Sequence, residues 1–223
     1  MMHWNYTVSL ILTFSILVPA IISIARFAEI RDIYRPFVYL IWVGCLTEVL
    51  GTYFAYVYQN NLAISTIYHL CESLFLLWFF SKLGLFKKQE RALYLLTTAF
   101  VLLWAADTFL SDRFNKNIPY YFDIFYGFTI VLLSIRAIND LLFTERTLLK
   151  NPTFLICIGL LIYFTYMIVQ RMFWIYGLKE SMDFRRSVQR IMALVNCFTN
   201  LIYAVAVLYM HKRQPFTLSF GGS

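Results

Sequence analysis

Charge is scarce in this sequence. Asp, Glu, Lys and Arg make up 14% of its 223 residues, while 61% are hydrophobic. A water-soluble domain is normally about 25% charged and about 45–50% apolar, so the composition excludes a soluble kinase, nucleotide-binding or DNA-binding domain. Cysteine is also sparse: Cys45, Cys71, Cys157 and Cys197 all fall within apolar runs and no CxxC occurs. Neither a disulfide framework nor a zinc ribbon fits that pattern, and the four read as small interior side chains. Of three histidines, His3 and His211 stand at opposite ends and only His69 is internal. A metal site would therefore be poor in histidine, built from His69 with Glu72 and Asp107, leaving one position for water. The last apolar run, 187–210, contains no lysine, which rules out a retinal Schiff base. No HExxH, GxSxG, P-loop or GxGxxG is present, and no cofactor is expected.

Apolar runs are what the chain does have. Seven of them, at about 6–26, 37–57, 64–83, 92–111, 119–141, 153–176 and 187–210, have the roughly 20 residues that an α-helix needs to cross a bilayer. The expected fold is all-α: one polytopic transmembrane domain over 1–223, a bundle of seven helices in contact with the lipid bilayer. Met1-Met-His-Trp-Asn5 lacks the basic region of a cleaved signal peptide, so the first run is expected to remain as a helix. Asn5-Tyr-Thr7 matches a glycosylation sequon. Pro19 is a candidate kink in the first span, while Pro36, Pro119 and Pro152 stand at span starts, where proline is favoured. In the second span Gly44, Thr47, Glu48, Gly51, Thr52 and Ala55 share one face, a pattern that predicts close helix–helix approach around Glu48.

Basic residues set an orientation. Twelve of the nineteen Lys and Arg lie in or beside connections 1–2, 3–4, 5–6 and the tail; Arg113, Lys116, Lys179, Arg185 and Arg186 make five on the opposite side. The positive-inside rule then puts the N-terminus outside and the C-terminus in the cytoplasm. It also accounts for the net charge of +7 without invoking nucleic acid.

One stretch breaks the apolar pattern most clearly. Ser65-Thr-Ile-Tyr68-His69-Leu-Cys71-Glu72-Ser73 places an imidazole and a carboxylate at i and i+3, on one helix face. Ionisable groups at membrane depth cost several kcal/mol unless they pair, face the bundle interior or line a wet cavity. With the orientation above, His69 and Glu72 of span three, Asp107 of span four, Asp123 of span five, Arg171 of span six and Arg190 of span seven all fall in the outer half. They are expected to line an outward-facing, ligand-binding polar pocket, with Glu48 slightly deeper and in need of a partner on another span or a proton. Plainer readings stand beside this one. His69 and Glu72 could form an internal hydrogen-bonded pair, Arg185 and Arg186 suit the headgroup layer, and Asn196 and Asn200 suit contacts between helices.

The segment Glu145-Arg-Thr-Leu-Leu-Lys-Asn151-Pro152-x-Phe154-Leu-Ile-x-x-Gly159-x-x-Ile162-Tyr163-Phe164, with Tyr68-x-x-x-Glu72-x-Leu-Phe in span three, resembles uncharacterised seven-helix inner-membrane proteins of the Bacteroidota. That resemblance implies a multi-pass protein of the bacterial cytoplasmic membrane. It also implies a signalling context, since such proteins often accompany sensor kinases. It assigns no catalytic residue. The expected function is a sensor-like protein that binds a small ligand in the outer-half pocket and acts with a cytoplasmic signalling partner. The alternative is an intramembrane lipid-modifying hydrolase using His69 with carboxylates.

Overall fold

In hydrocarbon every backbone N–H and C=O must find its partner within the protein, and a continuous helix satisfies all of them locally. The structure, a computed structural model describing residues 6–110, 121–143, 147–175 and 182–210, is built accordingly, with no strand among the described residues. Six helices are long and apolar enough to cross a membrane: α3 (Arg35–Tyr58), α4 (Leu62–Lys82), α5 (Glu90–Leu110), α6 (Tyr121–Leu142), α7 (Pro152–Ile175) and α8 (Met182–Tyr209). They follow a broken first span, α1 (Tyr6–Thr13) and α2 (Leu17–Ala25), joined by a 3-10 turn at Phe14–Ile16. The protein is a polytopic transmembrane helical bundle.

The break in the first span has a local cause. Pro19 has no N–H to donate and its ring crowds the carbonyl four residues back; that carbonyl belongs to Ser15, inside the 3-10 turn. At the other end of the chain, α8 begins at Met182, five residues before the apolar run, because Met-Asp-Phe-Arg-Arg extends the helix beyond its hydrophobic stretch. The sequon at Asn5, Pro119, the loop positions Arg113, Lys116 and Lys179, and Lys212 and Arg213 lie outside the described residues.

Helix ends carry the expected chemistry. Asn151 Oδ1 accepts the backbone N–H groups of Thr153 (2.9 Å) and Phe154 (3.4 Å), capping α7 while Pro152 opens it. Asn151→Ala should cost about 1 kcal/mol, read as a lower unfolding midpoint in detergent; an unchanged midpoint would remove the cap from the account. At the end of α3, Gln59 adopts a left-handed conformation (φ 54°) and closes a short turn into α4. Arg26 ties the first span to the last, donating to the Leu208 carbonyl (3.0 Å) while pairing with Glu29 (2.8 Å). The Arg31 N–H reaches Met210 O (3.1 Å). A cation and a donor thus meet the carbonyl-rich C-terminus of α8.

Packing is tightest where α6 meets α7 and α7 meets α8. A methyl group on Gly127 would fall 2.7 Å from Met167 Cε, and one on Gly159 2.5 Å from the Tyr203 ring. At Gly127 the flexible end of Met167 could give way, whereas at Gly159 the added methyl strikes an aromatic ring. Aromatic rings fill the interior: Phe37, Phe79, Phe80, Phe100, Phe122, Tyr126 and Phe164 are all fully buried. Large apolar side chains also cover the outside, among them Leu46 and Val49 of α3, Leu95 and Leu102 of α5, and Phe128 and Leu132 of α6. An aqueous protein rarely exposes so much contiguous apolar surface; a bilayer requires it. The α5 helix lies at the edge, packed on α4 and α6 and fastened by Trp104, whose Nε1 donates to the Thr66 carbonyl (2.9 Å).

Candidate functional site

Between the first span, α3, α4, α7 and α8 lies a cavity of about 460 Å³. Its α3 wall is the small-residue face, Gly44, Thr47, Glu48, Gly51, Thr52 and Ala55. The close approach expected there occurs only at Gly44, where an added methyl would meet Ile16 Cδ1 at 2.8 Å and Tyr68 OH at 3.3 Å. From Gly51 the wall is open, with only Asn61 Nδ2 as near as 3.9 Å. The stripe that reads in sequence as a helix contact is therefore mostly a cavity wall. Periodicity shows which side chains share a face; it does not show whether a neighbour fills the space before them.

The cavity is graded along its length. Towards the α3–α4 turn the wall carries Asn61, Ser65 and Thr52 beside Ile64 and Ala55, and Phe37, Leu40 and Ile41, all buried, form the opposite end. Glu48 lies ten residues before the end of α3 and Glu72 ten residues after the start of α4. At 1.5 Å per residue both carboxyl groups sit at the same level, about 15 Å from the turn.

His69 and Glu72 share a face but bond to different partners, not to each other. His69 Nδ1 lies 2.8 Å from Asp123 Oδ1, and its Nε2 is 3.5 Å from Ser65 Oγ. Glu72 accepts two tyrosine hydroxyls, Tyr126 on Oε2 (2.8 Å) and Tyr68 on Oε1 (3.2 Å). Asp123 is completely buried, and its second oxygen, Oδ2, forms an ion pair with Arg171 Nε at 3.1 Å. A buried charge is tolerated when paired and hydrogen-bonded, and Asp123 has both kinds of partner. The α6 helix thus braces the cavity from behind through Asp123 and Tyr126 without lining it.

Of the side chains expected to line one pocket, His69, Glu72 and Glu48 do so. Asp123 and Arg171 stand one layer behind His69. Asp107, buried on α5, is placed elsewhere: its Oδ2 accepts the Phe122 N–H (3.4 Å) near the start of α6, a position that favours a negative charge. Arg190 is exposed and outside the lining. His69, Glu72 and Asp107, the residues a metal site would have used, are not brought together, and among the described residues no three His, Cys, Asp or Glu side chains group as ion ligands. The cause is visible in the pairings: Asp123 occupies His69, tyrosines occupy Glu72 and a backbone N–H occupies Asp107.

Sequence reasoning missed the tyrosines. Tyr68, Tyr163 and Tyr203 line the cavity and Tyr126 holds Glu72. In a chain with 16 tyrosines and 22 phenylalanines, individual hydroxyls carry little signal; only Tyr68, four residues before Glu72, could have been found by spacing. Thr199 was missed as well. It is 1% exposed, lines the cavity, and its Oγ1 has no hydrogen-bond partner among the described residues. Asn200 does bridge helices as expected, donating to Ser15 Oγ (2.8 Å), while also facing the cavity. No protein-family model, curated protein or solved structure matches this chain.

Proposed function

We propose that this membrane protein binds a small organic ligand in the cavity between the first span, α3, α4, α7 and α8, and works as a sensor rather than a catalyst. The observation that carries the reading is the cavity itself: its volume falls in the range of small-molecule sites, roughly 300–1,000 Å³, and a network of buried polar side chains holds His69 and Glu72 in place beside it. Five helical elements meet at the site, so an occupant that favours one packing of them over another shifts the bundle between states. The basic residues favour a bilayer orientation with the α3–α4 turn, and hence the polar end of the cavity, outside. The Lys- and Arg-rich end then faces the cytoplasm, where an acidic signalling partner or anionic lipid would meet it. The resemblance to Bacteroidota proteins supports a bacterial inner membrane as the setting.

Native mass spectrometry of the gently solubilised protein tests the reading beside Gly51→Leu, which places a side chain into open cavity space at a position without close neighbours. The expected result is a retained organic mass in the wild type that the variant loses while its unfolding midpoint moves by less than about 1 kcal/mol equivalent. Bare protein in both, or equal retention in both, removes the cavity as the binding site.

One arrangement favours a second reading, an intramembrane hydrolase. Ser65 Oγ, His69 Nε2 and Nδ1, and Asp123 Oδ1 follow one another at 3.5 and 2.8 Å, the order in which a nucleophile, a general base and an orienting carboxylate act. Labelling by a fluorophosphonate that disappears in Ser65→Ala would move the assignment to that class. Absence of labelling leaves Ser65 as a cavity wall residue.

A further inference from the structure

We infer that the cavity takes an organic ammonium ion, a positively charged amine carried on a small apolar body. This rests on the binding reading above and names its ligand class. The charge pattern of the wall comes first. Two carboxyl side chains, Glu48 and Glu72, line the cavity and no Lys or Arg does; the imidazole of His69, also in the wall, and the nearby guanidinium of Arg171 are both directed to Asp123. An anion entering here meets like charge with no compensating cation in a setting of low dielectric, where such repulsion is strong.

The two carboxyl groups are not equivalent. Glu72 is held by tyrosine hydroxyls on both oxygens. Glu48 makes no hydrogen bond and no ion pair among the described residues, although it stands about 15 Å down the bundle with its side chain on the cavity. Such a group keeps its negative charge at that depth only at a cost of several kcal/mol, which a bound cation relieves and a neutral ligand does not. Independent of the acids, Thr199 lines the same cavity, and its buried Oγ1 lacks a partner among the described residues. A primary ammonium carries three donors, enough to serve Glu48 and further polar groups of the wall.

The remaining wall favours an organic cation over a metal ion. Tyr68, Tyr163 and Tyr203 present aromatic rings, and cations bind ring faces at about 0.5–2 kcal/mol each, most strongly when desolvated. The volume far exceeds that of a single ion, and the apolar side chains at the deep end suit the body of the ligand.

The test uses three compounds sharing one body and differing in head: 2-phenylethylamine hydrochloride, 2-phenylethanol and sodium phenylacetate. Binding to the full chain in detergent is measured by titration calorimetry and by the shift of the unfolding midpoint, for wild type, Glu48→Gln and Gly51→Leu. The amine is expected to bind and stabilise the wild type, to bind at least tenfold more weakly to Glu48→Gln, and not to bind Gly51→Leu; phenylacetate should leave all three unchanged. Glu48→Gln removes no internal hydrogen bond, so its fold is retained. If phenylethanol binds as well as the amine, or Glu48→Gln leaves amine binding intact, the ammonium assignment is overturned while the cavity stays a binding site. If none of the three compounds binds wild type, the assignment falls; if Gly51→Leu and wild type also retain the same mass in the native spectrum, the binding reading falls with it.

Discussion

Asp123→Ala is expected to lower the unfolding free energy by about 3 kcal/mol, because it removes a fully buried carboxylate that holds both the His69 ring and the half-buried Arg171 guanidinium. The side chain of Asp123 has no exposure and bridges His69 at 2.8 Å to Arg171 at 3.1 Å, so its removal unmoors groups on both α4 and α7. The diagnostic is the pair. Once Arg171→Met has removed the charge, Asp123→Ala should cost much less, and the double variant should recover much of the loss. Reversible unfolding in mixed micelles measures all three. Additive losses in the double variant would show that the pair contributes nothing beyond packing. The same series separates stability from binding: Arg171 does not line the cavity, so Arg171→Met paired with Asp123→Asn should keep ligand retention, since the substituted amide still offers a hydrogen bond to His69.

Gly159→Ala carries the second large expected effect. The added methyl would fall 2.5 Å from Tyr203 Cε1 and 3.2 Å from two further ring atoms, a clash relieved only if the ring is displaced or α7 and α8 part. Overpacking of this kind costs about 1–3 kcal/mol, and a larger side chain should prevent assembly of the bundle. Tyr203→Leu in the Gly159→Ala background should restore most of the loss, because it removes the ring the methyl strikes. Unfolding midpoints of the single and double variants decide it. A Gly159→Ala protein as stable as wild type would mean that the Tyr203 ring yields into the cavity at no cost or that α7 and α8 are further apart than described. Tyr203 also lines the cavity, so the rescue variant should enlarge the site and weaken retention of a small ligand.

The membrane spans were legible because twenty apolar residues in a row have few other uses, and the start of α7 because Pro152 suits a first helical turn. Polar residues inside the spans were legible one helix at a time. The i, i+3 spacing correctly put His69 and Glu72 on one face, yet it could not show that one would reach Asp123 and the other Tyr126 of α6. Such pairings depend on the rotation and depth of a second helix, which that helix's own sequence does not specify. Asp107 illustrates the loss: it sits at the expected end of its span but turns to the start of α6 rather than to the cavity. Arg190 shares a helix with Asn196 and Asn200 but projects from an exposed position. Conversely, the face of small residues on α3 gave the right wall for the wrong reason. Gly51 and Ala55 leave space that no other helix occupies.

The first and last spans meet in this bundle: Asn200 of α8 bonds Ser15 at a separation of 185 residues, and Arg26 reaches the carbonyl of Leu208. Both spans contribute to the cavity wall, the first through Thr13 and Ile16 and the last through Asn196, Thr199 and Asn200. A ribosome adding about 5–20 residues per second therefore leaves the first span in the bilayer for about 10–40 s before its partner is made. Throughout that interval Ser15 and the polar face of α3 stand without the helix that will close over them. The chamber comes into being only once α8 has been made, and its occupant can be enclosed by the arrival of α8 as well as admitted afterwards.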